Sequence, residues 1–232
     1  MNKVVVLTGA GMSADSGLST FRGSGGLWEG YDISEVATLE GWYSNPSMVL
    51  DFYNQRRTQS FLAKPNAGHL AVADLEEYFD VTVITQNVDD LHERGGSTNV
   101  IHLHGMLREA RSAENSNEVI DIGSNKIQLG DKSTDGSQLR PNVVWFGEPV
   151  PLIEVAASII STADVCIVVG TSLVVYPAAG LIDFIQENAQ KFIVDPSTPD
   201  IYGYEDWIHI KEPAKTGMVK LKEKLIKEYK NG

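Results

Sequence analysis

The sequence predicts a doubly wound α/β fold, a mostly parallel sheet covered by helices on both faces, with a small inserted module. Two observations carry that prediction. Short runs rich in β-branched residues alternate with longer helical patterns, the rhythm of a parallel sheet buried on both sides. Between Gly105 and Pro141 the composition turns to Ser, Asn, Asp, Glu and Gly with few large apolar residues, so this stretch cannot build a full core of its own. The expected division is a main domain over residues 1–104 and 141–232 and a reduced module over 105–140.

The predicted strands are residues 4–7, 81–85, 143–146, 165–169 and 191–194, each short, apolar and β-branched. Helical patterns cover residues 46–61, 66–78, 152–162, 177–188 and 215–229. In the last of these, Met218, Leu221, Leu225 and Tyr229 share one apolar face. Within the module, residues 118–122 and 126–129 flank Gly123-Ser124-Asn125 and predict a β-hairpin. The chain has no internal repeat and no low-complexity tract.

Charge narrows the partners. Acidic residues outnumber basic ones 31 to 19, for a net charge of −12. That disfavours nucleic acid, whose affinity comes largely from Lys and Arg neutralising phosphates. No apolar run approaches the roughly 20 residues needed to cross a bilayer, and the run at residues 4–7 is too short for a signal peptide. The expectation is a cytoplasmic protein without a membrane partner. The single cysteine, Cys166, lies in an apolar strand with no basic neighbour to lower its pKa, and reads as a core thiol.

Five constellations can carry chemistry. After the first strand comes Thr8-Gly9-Ala10-Gly11-Met12-Ser13, a Gly-x-Gly-x-x-Ala pattern through Ala14. It suits either a dinucleotide cradle or a plain glycine turn. No strand ending in an acidic residue follows at the distance a dehydrogenase requires; Thr20-Phe21-Arg22-Gly23 and a second glycine-rich stretch follow instead. Gln86, Asn87 and Asp89 trail the strand at 81–85, where polar groups point into the ligand crevice of an α/β sheet; Asn87 or Asp89 as a helix cap is the simpler alternative.

His102 and His104 share a face if their strand continues, a spacing that also suits a metal pair. With only His92 near and no cysteine within reach, a general base or a hydrogen-bonded core histidine fits better. Gly170-Thr171-Ser172 follows a buried strand as a second nucleotide contact or an ordinary strand-to-helix turn. Tyr53 and Arg56, at i and i+3 on a helix, either grip a carboxylate together or belong to a solvated face.

In order, GAGMSADSGLSTFRG, TQNVDDLH, IHLHG, VVWFGE and GTSLVVYPAAG resemble the signature blocks of the sirtuins, NAD-dependent protein lysine deacylases with a Rossmann-like fold. The resemblance spans nearly the whole chain and is closest to the class with a Tyr-x-x-Arg pair, here Tyr53 and Arg56, associated with removal of succinyl and malonyl groups. Ala37 matches a small residue that this class uses to widen the acyl pocket.

Carried over position by position, the resemblance makes His104 the general base and His102 a strand residue. It assigns Gly9, Ala10, Gly11, Ser13, Phe21 and Arg22 to the NAD site. Gln86, Asn87 and Asp89 fall around the nicotinamide and its ribose, and Gly170, Thr171 and Ser172 around the adenosine half. Val144, Trp145, Phe146 and Gly147 would line the acyl-lysine channel, where substrate backbone adds as an extended strand. Asp195 stands where the family usually has Asn, which weakens the adenosine contacts there, while Ala214 still matches.

The implied reaction consumes NAD. The acyl oxygen attacks the ribose carbon as nicotinamide leaves, and His104 then takes a ribose hydroxyl proton. The products are free lysine, nicotinamide and O-acyl-ADP-ribose. The resemblance implies desuccinylation and demalonylation with some deacetylation, on acyl-lysine proteins or peptides. An ADP-ribosyltransferase or NAD glycohydrolase using the same pocket is the alternative, and a non-catalytic NAD sensor is a third. The chief departure is metal: sirtuins usually bind structural zinc through two cysteine pairs, and this module has no cysteine, so no zinc is expected. Such zinc contributes about 10–16 kcal/mol in small finger peptides, so something else must hold the module.

Overall fold

A computed structural model describes residues 1–19, 31–115, 117–199 and 201–230, leaving aside the side chains of 229 and 230. Along the described chain run β1 (Lys3–Thr8), β2 (Asp80–Thr85), β3 (Val100–His102), β4 (Gly105–Ser112), β5 (Val119–Asp121), β6 (Leu139–Val143), β7 (Val165–Val169), β8 (Gln190–Val194) and β9 (Ile208–Ile210). The helices are α1 (Gly11–Ala14), α2 (Ile33–Val36), α3 (Leu39–Ser44), α4 (Pro46–Leu62), α5 (Ala67–Asp74), α6 (Leu91–Arg94), α7 (Ile153–Ile160) and α8 (Ala214–Lys230).

The larger sheet has the order β3-β2-β1-β7-β8-β9, and every neighbouring pair is parallel. Successive side chains of a strand point to opposite faces, and both faces are dry. Val4, Val6, Val83, Ile167 and Phe192 pack with Val72 of α5 and with Met218, Leu221 and Leu225 of α8. Val5, Leu7, Cys166, Val168 and Ile193 pack on the other side with Ala156 and Ile160 of α7. Doubly wound α/β is therefore the fold, and Cys166 is a fully buried core thiol whose pKa burial pushes up to about 12. Among the described residues no helix is long and apolar enough to cross a membrane.

Local chemistry starts the two helices nearest the site. At α4, the Asn45 side chain accepts the Met48 N–H at 3.1 Å and Pro46 fills the first turn. At α5, Asn66 accepts the Gly68 N–H at 2.8 Å while the His69 ring takes the Asn66 N–H at 3.2 Å, a capping box closed by a histidine.

A smaller antiparallel sheet of order β5-β4-β6 lies against α3 and α4. Here the sequence expectations need correction. The apolar run at 143–146 is not a strand of the parallel sheet: β6 ends at Val143 and pairs with β4, so this sheet extends to Val143. Residues 144–146 leave it because Val144 N–H turns to the His104 carbonyl at 3.0 Å and Phe146 N–H to the Ala37 carbonyl at 2.9 Å. The hairpin over 118–122 and 126–129 does not form either. β5 pairs with β4, and the main chain of Ile127 is taken by Asn54, whose amide donates to its carbonyl and accepts its N–H, both at 2.9 Å. Arg57, 2 % exposed, donates to Asn54 Oδ1 at 2.7 Å and to the Leu107 carbonyl at 2.5 Å. Thus α4 clamps the module by polar contacts to its backbone.

The predicted helix over 177–188 is a 3-10 turn, Ala178–Phe184, because Ile185 adopts an extended conformation and ends it. The predicted helix over 66–78 becomes α5 followed by a 3-10 turn at Leu75–Glu77. The side chain of Tyr229, expected on the apolar face of α8, lies outside the described residues.

Candidate active site

The chain runs outward from β1 through β2 to β3, then returns to the other side of β1 with β7. That reversal leaves a crevice beyond the carboxyl ends of β1 and β7, the place where open α/β sheets bind ligands. Two loops meet there. Gly9 N–H donates to the Val169 carbonyl at 3.0 Å and Gly11 N–H to the Gly170 carbonyl at 2.8 Å. A Cβ on Gly170, which has φ +59°, would sit 2.4 Å from the Met12 nitrogen, and one on Gly11 would sit 2.7 Å from the Gly170 Cα. Only backbone without side chains lets the loops close this tightly. Ala10 precedes α1, Thr171 and Ser172 follow Gly170, and the buried Leu173 is held at φ +53°, uncommon for a non-glycine residue.

The loop after β2 supplies the polar floor. Gln86 N–H donates to the Thr8 carbonyl at 2.9 Å, and its amide reaches Thr171 Oγ1 at 3.2 Å, so it bridges both walls. Asn87 is buried and donates to the Gly9 carbonyl at 3.0 Å and to Ser13 Oγ at 3.2 Å. Ser13 in turn donates to Asp89 Oδ2 at 3.0 Å, and the other Asp89 oxygen accepts the Leu91 N–H at 3.1 Å. Asp89 thus helps to start α6, and burial raises its pKa above the ordinary carboxylate value. Asp195 follows β8 at the same edge, half-buried, with Oδ1 accepting the Ser197 N–H at 2.7 Å; burial raises its pKa too. Ala214, buried, opens α8 beside the N-terminus of α5.

The two histidines of the third block differ in what they bond. His102 ends β3; its Nδ1 lies 3.1 Å from the Asn87 carbonyl and its Nε2 2.7 Å from Glu93 Oε1. Both partners only accept, so both ring nitrogens donate. Burial alone would lower its pKa, but the Glu93 hydrogen bond and charge outweigh burial and raise it. His104 lies just past β3, with Nδ1 3.0 Å from the Gln86 carbonyl. That carbonyl fixes the proton on Nδ1 and leaves the Nε2 lone pair for chemistry. Burial lowers its pKa, so the ring is neutral at pH 7.

A wall of aromatic residues stands next to His104. The Val144 N–H on the His104 carbonyl ties residues 144–147 to it, and the Phe146 N–H on the Ala37 carbonyl ties them to α2. Ala37 and Trp145 are buried, Phe146 is half-exposed and Gly147 has φ +87°. Tyr53 is buried in α4, its hydroxyl accepting the Trp145 indole N–H at 2.9 Å. The Arg56 guanidinium stands 4.1 Å over the Phe52 ring, partly buried, its pKa lowered by that burial.

The site therefore gathers residues from widely separated stretches of sequence. Phe21 and Arg22 lie outside the described residues. Several polar contributors escaped the sequence reading. His69 Nε2 stands 3.4 Å from Ser13 Oγ, Asn66 donates to the Met12 carbonyl at 2.9 Å, and His92 Nε2 lies 3.1 Å from Thr8 Oγ1. Asn66 had a signal as an N-cap; nothing local marks the histidines. A thiolate zinc site does not fit this chain, because its one cysteine is inside β7.

The Sir2 family model matches residues 9–177. The "NAD-dependent protein deacylase" of Bacteroides thetaiotaomicron is 47 % identical over 231 residues, covering 97 % of this chain and 99 % of that protein. The protein of the same name from Helicobacter pylori is 48 % identical over 226 residues, covering 97 % and 98 %. A solved Sir2 homologue–NAD complex superposes with a TM-score of 0.89 at 40 % identity, over 98 % of this chain and 90 % of that one. With a glycine-closed crevice at the switch point and a neutral imidazole at its mouth, this chain belongs to the Sir2 family.

Proposed function

We propose that the chain is an NAD-dependent protein lysine deacylase, cytoplasmic, that prefers succinyl- and malonyl-lysine over acetyl-lysine and releases nicotinamide and O-acyl-ADP-ribose. NAD is a co-substrate. The observation that carries the reading is His104 Nδ1 on the Gln86 carbonyl, which leaves Nε2 to accept a proton, with the His104 carbonyl bonded to the loop at 144–147.

Gly9, Ala10, Gly11 and Ser13, with Gly170, Thr171 and Ser172, are proposed to hold NAD, with Gln86, Asn87 and Asp89 at the nicotinamide end and Asp195 and Ala214 toward the adenosine. Support comes from the glycine contacts, which a Cβ at Gly11 or Gly170 would fill. When bound, NAD supplies the glycosidic bond whose cleavage drives amide removal. His104 then accepts a ribose hydroxyl proton at Nε2, a role for which a pKa below 6.5 keeps it unprotonated at neutral pH. Val144, Trp145, Phe146 and Gly147 are proposed to line the acyl-lysine channel. Tyr53 and Arg56 meet an acyl carboxylate at its end, one by a hydrogen bond and one by charge, and Ala37 leaves room for the longer chain.

The test is a panel of acetyl-, succinyl- and malonyl-lysine peptides assayed with NAD, for the wild type and Arg56→Met. Faster turnover of the acidic acyl groups, reversed by Arg56→Met, is the expected result. Acetyl turnover that equals or exceeds the others and ignores Arg56→Met would remove the acyl preference, and NAD consumption without peptide would remove the deacylase.

A further inference from the structure

We propose that Trp145 sets the acyl preference of this site by fixing the direction of the Tyr53 hydroxyl proton, and that Arg140 and Glu148 hold Trp145 in the required pose. This rests on the reading of Tyr53 and Arg56 as the acyl-carboxylate pair. An indole N–H can only donate, so at 2.9 Å the Tyr53 oxygen must accept and its own proton must point elsewhere. Among the described residues that proton meets no acceptor, although the phenol is only 6 % exposed. A buried donor left without an acceptor is costly, and an incoming carboxylate relieves that cost where an acetyl methyl does not. Sites built this way discriminate against the analogue that lacks the polar group.

The support around Trp145 is over-determined. The Arg140 guanidinium lies 3.3 Å from the centroid of its ring. The Trp145 backbone N–H donates to Glu148 Oε2 at 2.8 Å. Glu148 also accepts from Arg140 at 2.9 and 3.0 Å and from Arg111 at 2.8 Å, and Arg140 donates to the Val143 carbonyl at 3.1 Å. The Glu148 N–H returns to the Trp145 carbonyl at 3.0 Å, closing the turn. Val144 and Phe146, tied on either side, fix the backbone of Trp145, while Arg140 over the ring and the N–H on Tyr53 hold the indole in this pose.

Trp145→Phe is therefore the test, with kcat and KM measured on succinyl- and acetyl-lysine peptides at saturating NAD, beside Tyr53→Phe and Arg56→Met. Loss of one hydrogen-bond director is expected to lower the succinyl-to-acetyl ratio of kcat/KM about five- to tenfold, chiefly through the succinyl KM. The acid limb of the pH profile, which belongs to His104, stays in place. An unchanged ratio in Trp145→Phe, with the ratio reduced in Tyr53→Phe and Arg56→Met, overturns the role of Trp145 and spares the acyl-pocket reading. An unchanged ratio in all three overturns both. Should Trp145→Phe fail to fold, Glu148→Gln replaces it, with a falling ratio supporting the proposal and a constant one refuting it.

Discussion

His102 donates from both ring nitrogens, to the Asn87 carbonyl and to Glu93, whereas His104, two residues on, donates from Nδ1 to the Gln86 carbonyl. The first ring is thereby biased toward imidazolium and the second toward the neutral base.

That difference predicts a pH profile. Because burial lowers the pKa of His104, the acid limb of kcat/KM should lie below that of an ordinary imidazole. His104→Ala should cost on the order of 10²–10⁴ in turnover, with NAD affinity retained in calorimetry. An acid limb centred above pH 7 would contradict the assignment.

Acid should also destabilise the fold through His69 and His92, whose rings meet edge-to-face at 4.9 Å. Burial holds His69 down at about 4 and His92 well below its usual value, with the His69 and His102 charges adding to the effect on His92. Below pH 6.5 the unfolded chain binds protons that the folded chain refuses. Stability contributed by the neutral His69 is therefore complete above 6.5 and lost as pH falls toward 4, by roughly 3 kcal/mol. Urea unfolding of the wild type and His69→Gln across this range checks the slope, which the variant should flatten.

Gly170→Ala should damage both stability and NAD binding. A left-handed φ costs a non-glycine residue about 1–2 kcal/mol, and the added Cβ would also press on the Met12 nitrogen at 2.4 Å. Equilibrium unfolding and NAD titration measure the two effects; a variant that kept both would show that the loops can separate freely.

Asn54→Ala leaves the Ile127 N–H and carbonyl and one Arg57 donor without their partner. A loss of about 2–4 kcal/mol is expected for groups so buried, with faster amide exchange over residues 119–143 than in the parallel sheet. Uniform exchange would mean that α4 does not hold the module.

Native Cys166 should resist thiol reagents at pH 8 and react on unfolding, since its pKa is about 12 and no part of it is exposed. Labelling at the rate of a free thiol would contradict its placement in the core.

Much of the parallel sheet was legible because β1, β2, β7 and β8 are buried on both faces beyond their first residues and are mostly apolar there. The carboxyl-end positions of Gly9, Gln86 and Gly170 followed from where those runs stop. The four-residue helix α2 was not legible, since one turn has no periodicity to read, and α6 showed only through Asp89 as a candidate cap. The apolar run at 143–146 misled because composition marks burial without saying which sheet, if any, receives it.

Sequence alone determined the doubly wound core, the glycine turn, the imidazole block and the absence of a four-cysteine zinc site, since each depends on residue type and near neighbours. The tertiary structure decided which partners the His102 and His104 rings bond, how Asn54 and Arg57 clamp the module, and how Arg111 and Arg140 meet at Glu148. Those outcomes require groups as far apart as residues 54 and 127 to meet in a low-dielectric interior, where one carbonyl or carboxylate decides the proton. No local pattern encodes such a meeting; only the completed fold brings it about.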